Sequence, residues 1–333
     1  MSQARLRAPS GNRMILADHV PLDKPLCIRI EPTQVCNFRC EFCPVSLKCF
    51  REHNNHGFMS FDLFQNVIMD IKKSFGCVKN IMLVGMGESL LHSRIIDMVQ
   101  MIVREKVSES VEITTNGSML THDMSEALCQ SNLSLLRISV NGLSVADYKK
   151  HCGISLDFDE YVSNIRHLYS VRKNTKIYVK IINYMVQTDE QYQRFLNIFS
   201  PICDMISVEN LIEGDSRIDY HKIAGDNISF AQTQSNTDLL ETKICTMPYY
   251  TLQISCDGSV YPCCTPGVKQ IGDINDISIG EIWKKEAIAF QKLMLDGVQN
   301  ITFCNQCVSM QYRVYPEDAL DLSVDKLKVK YGI

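Results

Sequence analysis

Residues Leu26–Ser46 read LCIRIEPTQVCNFRCEFCPVS, an apolar run followed closely by Cys36, Cys40 and Cys43. The run LCIRIE has the β-branched, apolar character of a strand. Three thiols form at most one disulfide, so one is left over. A structural zinc site takes four protein ligands in a tetrahedron. Three cysteines in one loop therefore read as a site left one ligand short.

Working outward, the strand at Leu26 is the first of six. The others are NIMLVG from Asn80, SVEITT from Ser110, LLRISV from Leu135, KIYVKII from Lys176 and MISVEN from Met205. Amphipathic runs such as SFDLFQNVIMDIKKSF lie between them, with apolar residues at helical spacing. Ser60 and Thr121 stand where helix N-caps are expected. Alternating strands and helices with near-continuous apolar strands predict an α/β fold, a parallel sheet with helices outside. Six repeats fit either an open doubly wound sheet or a partial barrel. Either way, reactive residues belong on loops at the carboxyl ends of strands. The cysteine loop follows the first strand and sits at that end.

The pattern changes after Glu213. Residues 214–244 are polar and irregular and read as a linker. YYTLQISCDGSVYPCC then predicts a β-hairpin turning at Asp257-Gly258. A helix, SIGEIWKKEAIAFQKLML, follows, and a C-x2-C pair, Cys304 and Cys307, closes this smaller unit. The expected organisation is a lead-in over 1–24, a core domain over 25–213, the linker, a small domain over 245–310 and a tail over 311–333. The lead-in reads as loosely ordered.

Composition bounds the function. The chain has 333 residues, 45% hydrophobic and 22% charged, as in an ordinary globular protein with a sizeable core. A net charge of −4 with scattered Lys and Arg suggests no nucleic-acid surface. No segment approaches the roughly 20 apolar residues of a membrane helix, and no signal peptide is evident, so a cytoplasmic protein is expected. In a reducing compartment, the fifteen cysteines are metal ligands, reactive thiols or small core residues rather than disulfides.

The C-x3-C-x2-C spacing, with Phe42 before the last cysteine, resembles the signature loop of the radical S-adenosylmethionine (radical SAM) superfamily. The resemblance implies a partial (β/α)6 barrel of the TIM type. It also implies that Cys36, Cys40 and Cys43 hold a [4Fe–4S] cluster whose fourth iron is chelated by SAM. Reductive cleavage of SAM then yields a 5′-deoxyadenosyl radical that abstracts hydrogen from substrate. Soft thiolates suit such a cluster. Further motifs match at strand ends. VGMGESLLH resembles the family's glycine-glycine-glutamate motif, with Gly87 and Glu88 aligned and Met86 in place of the first glycine. This makes Glu88 the implied partner of the SAM ammonium. TTNGSML offers Asn116 and ISVNG offers Ser139 and Asn141 as implied SAM contacts.

Cys245, Gly258 and Cys263 give C-x12-G-x4-C, followed by Cys304-x2-Cys307. This resembles the opening half of the SPASM extension. No cysteine follows Cys307, which points to the shortened form called twitch, with one auxiliary [4Fe–4S] cluster on Cys245, Cys263, Cys304 and Cys307. Cys264 is expected to pack in the core, replace a ligand or donate hydrogen. Cys256 is left without a role. The remaining cysteines are expected to be structural.

The resemblance implies an oxidoreductase served by a flavodoxin or ferredoxin. It acts on a small molecule, expected to be a secondary alcohol of a sugar or aminocyclitol in antibiotic biosynthesis. Glu209 and Lys180, at strand ends, and Cys264 are the candidate catalytic residues. Epimerisation of a sugar or aminoglycoside and peptide maturation are the alternatives.

Overall fold

The computed structural model describes residues 5–6, 13–53 and 57–333. Its strands are β1 (Arg5–Leu6), β2 (Cys27–Ile30), β3 (Val78–Leu83), β4 (Ser108–Thr115), β5 (Leu135–Val140), β6 (Lys176–Ile182) and β7 (Met205–Glu209). Beyond them lie β8 (Thr251–Ile254), β9 (Ser259–Tyr261) and β10 (Gly272–Asp273). They form one sheet in the order β1-β7-β6-β5-β4-β3-β2-β8-β9-β10. From β2 to β7, every neighbour is parallel and consecutive in sequence. All six expected core strands are present, and the fold is the α/β partial barrel with an appended C-terminal region.

Helices cover the outside because their apolar stripes demand it. The helix Phe61–Phe75 buries Phe64, Val67, Ile68 and Ile71, and Ser60 Oγ caps it by accepting from Leu63 N at 3.1 Å. Thr121 caps the helix His122–Gln130 in the same way. Both expected caps are therefore in place.

The predicted hairpin forms as β8 and β9, with Gly258 at φ 99° in the turn. It does not stand apart, however. β8 pairs in parallel with β2, Cys27 opposite Thr251 and Ile30 opposite Ile254. The hairpin thus prolongs the barrel sheet and brings the second cysteine set to its mouth.

The lead-in expected to be loose is packed over residues 13–24; residues 1–4 and 7–12 lie outside the described ones. Leu16, Ala17 and Val20 bury against Tyr249, Met294, Leu327 and Tyr331 in a second core. Trp283 Nε1 donates to Leu22 O at 2.9 Å. Residues 16–20 and the helix Val324–Tyr331 thus share one core. Within the linker, Tyr220–Ala224 forms a short helix. Among the described residues, no helix is long and apolar enough to cross a membrane.

Candidate active site

The cysteine loop leaves the carboxyl end of β2 and is pinned on two sides. Against the helix Val145–Cys152, Arg39 N donates to Cys152 O at 2.9 Å and Glu41 N to His151 O at 3.0 Å. Side chains reinforce this edge, with His151 Nδ1 2.6 Å from Glu41 Oε1. The pairing sets Cys40 Sγ 3.6 Å from Cys152 Sγ. Burial pushes the Cys36 thiol up to about 11, with Glu88 and Cys40 adding to the rise, and the Cys43 thiol up to about 12, with Cys40 and Cys36 adding to it.

On the other side stand the loops after β3 and β4. Gly87 is needed there because a Cβ would lie 2.3 Å from Thr33 O and 2.6 Å from Val35 O. Glu88 N donates to Val35 O at 2.9 Å. Its carboxylate turns inward, only 3% exposed. It accepts from Thr115 Oγ1 at 2.6 Å, Asn116 N at 2.7 Å and Leu90 N at 3.0 Å. Burial raises its pKa, and these donors temper the rise. Glu88 therefore holds two loops together by its side chain. Asn116 Nδ2 donates to Asn37 Oδ1 at 2.9 Å, which joins the β4 loop to the cysteine loop. On β5, Ser139 stands in register with Lys180. Asn141 is buried and donates its Nδ2 to Ser139 O at 3.3 Å.

Side chains alternate across a strand, so one face of each core strand fills the barrel interior. Arg29, Arg137, Tyr178, Lys180 and Glu209 line an interior cavity of about 440 Å³. Above it, a second cavity of about 410 Å³ opens between the cysteine loop, through Phe42 and Cys43, and the C-terminal region, through Cys263 and Cys264. Arg29, Gln234, Cys264 and Arg313 line both cavities and form the waist between them. Lys180 Nζ lies 2.7 Å from Glu209 Oε2, and Tyr178 Oη donates to Glu209 Oε1 at 2.8 Å.

Cys264 was expected chiefly as packing, yet it faces these cavities. Arg313 Nη1 lies 3.4 Å from its sulfur. Burial would push this thiol up, but Arg29 and Arg313 outweigh burial and hold it below the ordinary value. Cys256 is buried, as a small core residue is.

Sequence reasoning missed Glu31. At the mouth of β2, it accepts from Gln34 Nε2 and Ser255 Oγ, both at 3.0 Å, and from Met86 N. A Cβ on Gly85 would strike it at 2.1 Å. Glu31 thus couples the cysteine loop, the β3 loop and the hairpin. A buried carboxylate beside a cysteine motif was the available signal.

Cys245, Cys263, Cys304 and Cys307 converge on one apolar hollow lined by Met247, Phe290, Met294 and Phe303. Burial pushes Cys263 up to about 12 and Cys304 up to about 11. Among the described residues, no three potential ligands converge as those of a single ion would. Soft thiols set around an apolar hollow are a donor set that fits an iron–sulfur cluster.

The radical SAM superfamily profile matches residues 30–199, more than half of the chain. The chain belongs to the radical SAM superfamily. The profile of SPASM, an iron-sulfur cluster-binding domain, matches residues 245–308. The chain is therefore a radical SAM enzyme with a [4Fe–4S] cluster, SAM and a SPASM auxiliary iron–sulfur site. It is 34% identical over 119 residues to the tungsten-containing aldehyde ferredoxin oxidoreductase cofactor-modifying protein of Pyrococcus furiosus, covering 35% of this chain and 31% of that protein. The chain thus matches less than a third of that relative's length.

Among solved structures, BtrN in complex with AdoMet and 2-DOIA superposes with a TM-score of 0.55 at 17% identity, over 88% of this chain and 97% of that one. Streptococcus suis SuiB bound to S-adenosylmethionine gives a TM-score of 0.62 at 16% identity, over 89% and 74%. These likenesses establish the fold.

Proposed function

We propose that this radical SAM enzyme removes hydrogen from a small molecule held between the two cysteine sets, oxidising a secondary alcohol of a sugar-like polyol to a ketone. One observation carries the reading: a cavity of about 410 Å³ between Cys43 and Cys263 adjoins one of about 440 Å³ in the barrel, the two sharing Arg29, Gln234, Cys264 and Arg313. That volume suits a compact polar ligand.

Cys36, Cys40 and Cys43 would hold the SAM-binding cluster, and Cys245, Cys263, Cys304 and Cys307 one auxiliary cluster. When bound, these groups supply the hydrogen-abstracting radical and an acceptor for the second electron. The chain's own residues do the rest. Gly87 lets the β3 loop approach the cysteine loop, and Glu88 and Asn116 fix the two loops that face SAM. Ser139 and Asn141, at the end of β5, are the further SAM contacts in this reading. Glu209, oriented by Tyr178 and Lys180, takes the hydroxyl proton. A flavodoxin or ferredoxin is the expected electron donor.

Epimerisation is the second reading, favoured by the position of Cys264 on both cavities. A thiol there would return a hydrogen atom to the opposite face, and the sulfur radical left behind would be restored by a proton and an electron from the external donor, so the substrate undergoes no net oxidation. The deciding experiment is anaerobic reconstitution to about eight iron atoms per chain, followed by assay of carbon-deuterated polyols. Deuterium in 5′-deoxyadenosine with a ketone product supports dehydrogenation. Solvent deuterium in an isomerised product supports epimerisation. Intact SAM under strong reductant refutes both.

A further inference from the structure

Five cationic side chains line the interior cavity: Arg13, Arg29, Arg137, Lys180 and Arg313. Three have carboxylate partners. Arg13 pairs with Asp318, Arg137 with Glu112 and Lys180 with Glu209. Arg29 and Arg313 differ. Among the described residues, Arg29 donates its Nε to Gln253 Oε1 at 3.1 Å, and Arg313 donates to Cys264 Sγ. Neither meets a carboxylate in an ion pair. Both stand at the waist where the two cavities join.

An unpaired cation withdrawn from water is costly, and an anion supplied by a ligand offsets that cost. The guanidinium fork matches a phosphate or carboxylate through two parallel N–H···O bonds. With Nε of Arg29 already engaged by Gln253, its two Nη groups remain to make such a pair. The carboxylates that share these cavities do not compete well for it. Glu209 is engaged by Lys180, Tyr178 and Gln234. Glu31 is held by Met86, Gln34 and Ser255, and burial favours its neutral form.

Resting on the small-molecule reading above, we propose that the substrate carries an oxyanion, a phosphate ester or a carboxylate, which Arg29 and Arg313 grip at the waist of the joined cavities. The polyol is then a sugar phosphate or sugar acid. A cationic aminocyclitol would place its ammonium against two unpaired guanidinium groups and be repelled. The anion also sets the register, since a ligand anchored at the waist extends its carbon chain toward Cys43 above or Lys180 and Glu209 below.

Both arginines bear on Cys264, but Arg313 also faces Cys245, Cys263 and Cys307. Arg29 therefore bears the test. Four matched probes, glucose, glucosamine, glucuronate and glucose 6-phosphate, are titrated calorimetrically into anaerobically reconstituted, SAM-loaded protein. The expected result is that one or both anions bind at least about tenfold tighter than glucose, with glucosamine weakest. The phosphate and carboxylate arms distinguish the two sources. R29Q should shrink the preference to about threefold or less, and R29K should restore part of it.

Raising the salt should weaken wild-type anion binding, a reading that needs no variant. The proposal is overturned if the four probes bind alike, if glucosamine binds best, or if none binds below about 10 mM. It is also overturned if R29Q leaves the preference intact while R313Q removes iron, which makes Arg313 a counter-charge for the second cysteine set. Release of 5′-deoxyadenosine by the wild type is followed in the same samples. Its absence refutes the enzymatic reading separately from the charge preference.

Discussion

Cys40 and Cys152 meet sulfur to sulfur at 3.6 Å although 112 residues separate them. The contact follows from backbone pairing between the cysteine loop and the end of the helix Val145–Cys152. It makes Cys152 the natural competitor for a place in the first cysteine set.

If the C-x3-C-x2-C loop alone supplies the ligands, C40A should lose about half the iron of reconstituted protein, roughly four of eight atoms. C152A should keep it. Iron analysis and electron paramagnetic resonance of the reduced samples read the difference. Equal losses from both variants would place Cys152 among the ligands.

Gly87→Ala tests the close approach of the two loops. The added methyl would meet carbonyl oxygens of Thr33 and Val35, at 2.3 and 2.6 Å, and backbone cannot swing aside as a side chain does. A cost of about 1–3 kcal/mol is expected from such overpacking. Thermal melting should fall, and SAM affinity, measured by equilibrium dialysis, should fall with it. An unchanged melt with unchanged SAM binding would mean that the loops are free to separate.

The barrel was legible because each strand from β2 to β7 is a continuous apolar run next to an amphipathic helix, so local periodicity carries the whole topology. The turn at Asp257-Gly258 was legible for a similar reason, since its geometry is written in two adjacent residues. The union of β8 with β2 was not. Arg29 and Gln253, neighbours across that pairing, lie 224 residues apart, and no local pattern announces a parallel partner. The same distance hid Glu31, whose partner Ser255 comes from the hairpin. Leu16 and Val20 gave too few apolar residues to reveal that the lead-in packs on Leu327 and Tyr331. Cys264 looked like its buried neighbours in sequence, and only the arginines around it set it apart.

Glu31 should leave a signature in stability against pH. Burial raises its pKa above the ordinary 4.5 in the folded protein, with the hydrogen bonds from Met86, Gln34 and Ser255 tempering the rise. Between those two values the folded state binds more protons than the unfolded state, so wild-type stability falls as pH rises through the window. Glu31→Gln cannot ionise and escapes this loss. Denaturant melts across pH 4 to 8 should show E31Q gaining on the wild type as pH increases. Parallel curves would mean that Glu31 ionises as readily folded as unfolded.

Glu209 and Lys180 can be separated as base and helper. Oxidation of an alcohol removes a proton as well as hydrogen, and Glu209 is the carboxylate on the wall of the lower cavity. Glu209→Gln keeps one acceptor oxygen for Lys180 and turns its amide N–H toward the Tyr178 hydroxyl, but cannot take the proton. Ketone formation should fall by about 10²–10⁴, whereas 5′-deoxyadenosine release should fall much less, because hydrogen abstraction precedes and does not require the base. Lys180→Met removes a partner at 2.7 Å, but Tyr178 Oη and Gln234 Nε2 still hold the carboxylate. The pair is largely withdrawn from solvent, so removing Lys180 should cost about 3 kcal/mol of stability while leaving the carboxylate in place. The ratio of ketone to deoxyadenosine should therefore drop steeply in E209Q and modestly in K180M. If E209Q retains the wild-type ratio, Glu209 and Lys180 are a structural pair and the proton leaves by another route.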